Sequence, residues 1–147
     1  MDCKATIEKN ALGKLNDAEL LFNHGRFDSA YYIAGYAVEL LLKAKICQTL
    51  GIDNFFDFDN TERKKLVKDE SGIKKAYKVH RYDQLLTLSG IFTEFQNDFK
   101  NDPEFYTIWS FVKNWNEGSR YLTGKTGEEV LNFITSVKEF CKWLQKH

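Results

Sequence analysis

The sequence predicts an all-α fold, a four- to five-helix up-and-down bundle, with a charged excursion over residues 52–79 between the second and third helices. Three observations predict it. Apolar residues recur at spacings of three and four through most of the chain outside that excursion. The segments so marked are bounded by recognisable helix start and stop residues. No segment alternates apolar and polar residues, with the two-residue period of a strand, as cleanly as these keep the helical period.

In the first helix Ile7, Ala11, Leu15, Ala18 and Phe22 form the stripe, and Gly25 is a natural terminator just past its end. The second helix is expected to open with Asp28 as N-cap and to run to Gly51, with Phe27 and Tyr32 at the two positions of a hydrophobic staple. The linker "HGRFD" is short, so these two helices should form an antiparallel hairpin. The run "IDNFFDFDNTERKKLVKDESGIKKAYKV" is dense in charge. It reads as a solvated excursion pinned by Phe55, Phe56 and Phe58, with "TERKKLVKD" as a short helix; a Lys-rich binding arm is the alternative.

Helical spacing returns through Leu85, Leu88 and Phe92, and Phe95 and Phe99 either continue that helix or form a separate turn. Asp102, Pro103 and Glu104 make a strong helix start, because aspartate caps, proline suits the first position and an acid suits the positive end of the dipole. Phe105, Ile108, Trp109, Val112 and Trp115 carry the stripe onward until "NEGSRYLTGKTG" breaks it. The last helix opens on Thr126 and Glu129 as a capping box. Its core face is Val130, Phe133, Ile134, Val137, Phe140, Cys141 and Leu144.

A chain of 147 residues reads as one domain, 1–147, long enough to bury a true core. Charged residues make up 29% but the net charge is zero, so no global field draws it to nucleic acid or anionic membrane, although a local basic patch is compatible with that balance. The 15% aromatic content points to a dense core or an aromatic interface. Cys3, Cys47 and Cys141 are odd in number and widely spaced, which argues against a disulfide framework or a zinc site. No signal pattern opens the chain and no run approaches the ~18 apolar residues of a membrane span, so a cytoplasmic protein is expected.

The second helix is apolar almost all round. Ala30, Ala34, Ala37, Leu41 and Ala44 share one face, and Tyr31, Val38, Leu42 and Ile46 a second. Between them runs a narrow stripe of Tyr32, Tyr36, Glu39 and Lys43. A helix with two apolar faces must be covered on both, so it is central in the bundle or shared with a second subunit. Glu39 and Lys43 are four apart in the favourable order and, if buried, each needs the other. The stripe is therefore either a self-satisfied ion pair beneath tyrosine hydroxyls or the floor of a polar groove.

The run "LLFNHGRFDSAYYIAGYAVELLLKAKI" resembles the first helical hairpin of HEPN domains (higher eukaryotes and prokaryotes nucleotide-binding), through Ala37, Glu39, Lys43 and Ala44. "HRYDQLL" is similar to the opening of the third helix of that family, and "WNEGSRY" before a capped helix to its closing segment. The resemblance implies a four- or five-helix bundle that commonly forms a two-fold homodimer. It implies either a metal-independent ribonuclease of toxin–antitoxin and phage-defence systems or a non-catalytic companion of a minimal nucleotidyltransferase. The ribonucleases carry an arginine followed, after four to six residues, by a histidine, with His as acid/base and Arg gripping phosphate. Here the positions so spaced after Arg120 are Lys125, Thr126 and Gly127, and no other arginine leads to a histidine at that spacing.

Two functions follow. The first is a non-catalytic dimer module binding nucleotide, RNA or a protein partner such as a nucleotidyltransferase or antitoxin, through Tyr36, Glu39, Lys43, Arg81, Glu117, Arg120 and Tyr121. The alternative is a divergent metal-independent ribonuclease in which His80 and Arg120 carry the chemistry. His24 reads as a helix-end residue suited to the dipole, and His147 as terminal and mobile. "GKTGEE" lacks the spacing and preceding strand of a phosphate loop. No His-Cys cluster suggests a metal and no motif suggests a cofactor.

Overall fold

The structure is a computed structural model that describes residues 3–51 and 81–147. The excursion 52–79 with its expected short helix, and His80, lie outside the described residues. Among the described residues there are six α-helices, one 3-10 turn and no strand. The α-helices are α1 (Cys3–Asn23), α2 (Phe27–Leu50), α3 (Tyr82–Leu88), α4 (Phe92–Asn101), α5 (Pro103–Val112) and α6 (Gly127–Lys146), and the 3-10 turn spans Glu117–Tyr121. The helical bundle expected from periodicity is the fold. The described residues carry six helices because the third pattern is two elements: α3 stops at Ser89, Gly90 turns with φ +79°, and α4 carries Phe95 and Phe99.

The first hairpin follows the sequence closely. Ile7, Ala11, Leu15 and Ala18 are buried, and Gly25 turns the chain at φ +73°. Gly51 ends α2 in the left-handed region at φ 63°, its N–H donating to the Cys47 carbonyl. Asp28 is a correction. The helix begins at Phe27 after Arg26, and Asp28 lies in the first turn instead of capping it. Its carboxylate accepts the backbone N–H groups of Gly124 at 3.2 Å and Lys125 at 2.8 Å. The acid thus satisfies a distant loop that has no helical partner of its own, and it pins that loop to the start of α2.

Helix α2 is the centre of the molecule. It packs against α1 along its length and against α3, the 3-10 turn and α6 as well, so both of its apolar faces are covered within the chain. Around the far end of α6 lies an aromatic cluster in which Phe95 meets Phe105, Trp109 and Trp143 at ring-centroid distances of 5.5, 4.9 and 6.2 Å. Trp143 Nε1 donates to Asp98 at 2.7 Å, which ties α6 to α4, and Lys138 pairs with Glu19 of α1. His147 stacks on Trp143 with centroids 4.4 Å apart. The Asp102 cap and the Thr126–Glu129 capping box form as the sequence indicates, and every expected core residue of α6 is buried.

Candidate functional site

Three segments converge on Trp115: the first half of α2, the start of α3, and the connector 113–122 that contains the 3-10 turn. Trp115 reaches the backbone of α2 because position 35 is glycine. A Cβ there would lie 2.2 Å from Trp115 Cδ1. The indole Nε1 donates to the Tyr32 carbonyl at 3.2 Å, and the Tyr82 hydroxyl donates to the Gly35 carbonyl at 2.6 Å. Buried tyrosine and tryptophan need such partners for their polar ends.

The rings form a connected series. Tyr36 and Tyr32 stack at 6.4 Å, Tyr32 and Trp115 at 5.8 Å, Trp115 and Tyr82 at 5.3 Å, and Tyr82 meets Trp109 at 6.3 Å. Tyr36 and Tyr32 are half-buried, whereas Tyr82 and Trp115 are buried. Burial pushes the Tyr82 hydroxyl well above the usual phenol range, with the negative charge of Glu39 adding to it. Tyr36 is raised by burial first and then by Glu39 and Tyr32. Both phenols therefore stay protonated, and the Tyr82 hydroxyl acts as a hydrogen-bond donor.

The connector is held by a reciprocal pair. The Asn116 side chain accepts the Ser119 N–H, while Asn116 N–H donates to Ser119 Oγ at 3.1 Å, and Ser119 is buried. This rigid turn presents the last two of its residues outward. Arg120 is exposed and its guanidinium lies 4.9 Å over the Tyr121 ring, which is itself 74% exposed. Tyr121 raises the Arg120 pKa above the ordinary arginine value, with smaller contributions from Tyr32 and Glu117, so the side chain is a permanent cation. On the other side of Trp115 a cleft of about 290 Å³ is lined by Arg81, Tyr82, Asp83, Trp109, Lys113, Trp115 and Asn116.

Of the residues expected at a site, Arg120, Tyr121 and Glu117 share the 3-10 turn, Tyr36 joins them through Tyr32, and Arg81 lines the cleft. Glu39 and Lys43 lie inside the bundle. Their side chains are 1% and 6% exposed, and Lys43 Nζ donates to Glu39 Oε1 at 2.7 Å. They form no part of the surface, which places the tyrosines above a buried ion pair. The expected meeting of His80 with Arg120 falls outside the described residues. Of the other histidines, His24 lines a mostly apolar groove with Leu20, Leu21 and Ile33, and His147 accompanies Trp143. Lys113, Tyr82 and Trp109 escaped the sequence reading as site residues. Tyr82 and Trp109 look like ordinary core on a helical stripe, and Lys113 like a basic residue at a helix C-terminus. The signal for Trp115 was Gly35, since glycine in a helix interior costs about 1 kcal/mol and implies a close approach.

A family model for the HEPN domain matches residues 7–57. That stretch is a HEPN-domain match, and the likeness read from the first hairpin is confirmed there. It covers most of α1 and all of α2, the helix on which Tyr32, Tyr36 and Gly35 stand. The helical architecture of the described residues is consistent with a bundle of HEPN type. No curated protein and no solved structure matches the chain. Among the described residues no helix is long and apolar enough to cross a membrane, and no group of three His, Cys, Asp or Glu side chains gathers as a metal site would require.

Proposed function

We propose that residues 1–147 act as one HEPN-type module that binds a nucleotide or single-stranded RNA at the connector end of the bundle, without cleaving it. The observation that carries this reading is the exposed Arg120–Tyr121 pair on its braced turn. An exposed ring offers a stacking face for any base, and a guanidinium held beside it meets the adjacent phosphate, the combination by which single strands are bound without sequence readout. Tyr32 and Tyr36 extend the aromatic surface along α2. The HEPN match supports a nucleotide- or RNA-related role or a dimer module at the coarse level.

The absence of the arginine–histidine spacing supports binding without chemistry. A homodimer is part of the proposal, since HEPN domains commonly dimerise. The apolar excess of α2 is used up inside the chain, so a dimer would rest on exposed side chains such as Leu12, Leu20, Phe111 and Leu131. A partner nucleotidyltransferase or antitoxin would be a further occupant of such a surface.

The test is fluorescence anisotropy of a labelled single-stranded RNA in EDTA, with RNA integrity followed in the same samples. Binding is expected to be weak and to fall with salt. An Arg120→Ala/Tyr121→Ala variant should lose it while keeping its helical circular dichroism. Equal binding by that variant would move the site elsewhere. Metal-independent cleavage lost on changing His80 and Arg120 to alanine would establish the ribonuclease reading instead.

A further inference from the structure

We infer that the cleft between α3 and the end of α5 is a subsite for a terminal phosphate monoester, the phosphorylated end of a nucleotide or RNA strand. This rests on the nucleotide-binding reading and assigns a second, chemically distinct task to the same end of the bundle. The cleft has cations from two elements: Arg81 at the start of α3 and Lys113 just past α5. Asn116 adds an amide from the connector, and the floor is closed by Tyr82, Trp109 and Trp115. Trp115 belongs to both regions, since it stacks on Tyr32 towards Arg120 and on Tyr82 towards Arg81. A strand lying on the Arg120–Tyr121 surface would therefore have its end near this cleft.

Size and charge choose the monoester. At about 290 Å³ the cleft is at the lower edge of small-molecule sites, which span roughly 300–1,000 Å³, so it suits the end of a nucleotide and not a passing chain. A monoester carries about −1.5 to −2 charges at neutral pH against one for a diester, so it gains more from Arg81 and Lys113 once it takes the place of Asp83 on Arg81. Asp83 is the counterweight. It pairs with Arg81 at 2.9 Å, but the two side chains are 62% and 68% exposed, so water screens the pair and a phosphate exchanges with the carboxylate at small cost. The guanidinium then exchanges one anionic oxygen acceptor for another.

The experiment measures the affinity of three probes for the full chain: an RNA oligonucleotide ending in 5′-phosphate, the same strand ending in 5′-hydroxyl, and a nucleoside monophosphate alone. We expect the phosphate end to bind roughly tenfold more tightly than the hydroxyl end, the gain of one charge-assisted contact set. Arg81→Ala and Lys113→Ala should abolish that preference by weakening the phosphate-ended strand more than the hydroxyl-ended one, whereas Asp83→Asn should enlarge the preference. Binding of the monophosphate alone, competing with the phosphate-ended strand, identifies the end group as the ligand. Equal affinity for both ends, or a preference that survives both alanine variants, overturns the subsite while leaving the surface at Arg120 intact. No binding by any probe overturns the subsite and the nucleotide-binding reading together.

Discussion

Glu39 and Lys43 illustrate how a single pair of residues is shaped by its surroundings. Their spacing on the helix is visible in the sequence, but whether the stripe was a groove or an interior depended on what covers α2. The cover is aromatic, with Tyr82 and Tyr36 both sensing the Glu39 charge. Removing one partner breaks a buried ion pair, so Glu39→Ala or Lys43→Ala should cost about 3–5 kcal/mol in urea unfolding. The double variant should recover part of that loss. Small additive losses would mean the pair is solvated. Buried protonated groups give a second test at this scale. Cys141 is pushed by burial from 9.0 up to about 12, and Tyr82 is raised well above 10.0. A group whose folded pKa is raised contributes stability that is complete below its unfolded pKa and lost as pH rises towards the folded one. Unfolding free energy should therefore hold between pH 7 and about 9 and decline above it, with Cys141 unreactive to thiol reagents until the protein unfolds.

At the scale of elements, caps and stripes made most of the bundle legible. Asp102 with Pro103, and Thr126 with Glu129, combine a local hydrogen bond with a fixed backbone, and such signals need no tertiary knowledge. Asp28 misled because an acid at a helix start satisfies either its own N-terminus or another segment, and the sequence does not say which. Here it serves Gly124 and Lys125, across 96 and 97 positions of chain. Asp28→Ala should cost about 1 kcal/mol, loosening the loop before α6 while sparing α2. Hydrogen exchange should show faster exchange at the Gly124 and Lys125 amides and unchanged protection in the middle of α2. Accelerated exchange along α2 would restore the capping role. The split of α3 from α4 was left open in the sequence because Gly90 is compatible with a helix end and with a kink, and only its φ of +79° decides.

For the whole molecule, fold and site were legible to different degrees. Periodicity encodes burial, so a helical bundle around α2 follows from it. A binding surface depends on residues brought together from α2, α3 and the connector, far apart in sequence, and Trp115 joins them through a contact that only Gly35 hinted at. Net neutrality likewise concealed a local arrangement: Arg81 and Lys113 line one cleft beside the connector that carries Arg120, with Asp83 and Glu117 among them. The central claim is that this end is where a nucleotide or single strand is bound. The most direct measurement is a two-dimensional amide NMR titration of the isotope-labelled chain with a single-stranded oligoribonucleotide. The account predicts that shifts concentrate in the connector 116–122, at Tyr32 and Tyr36, and at the start of α3, and that Arg120→Ala/Tyr121→Ala removes those of the connector. Shifts centred on α1 or α4, or none at millimolar RNA, would contradict it.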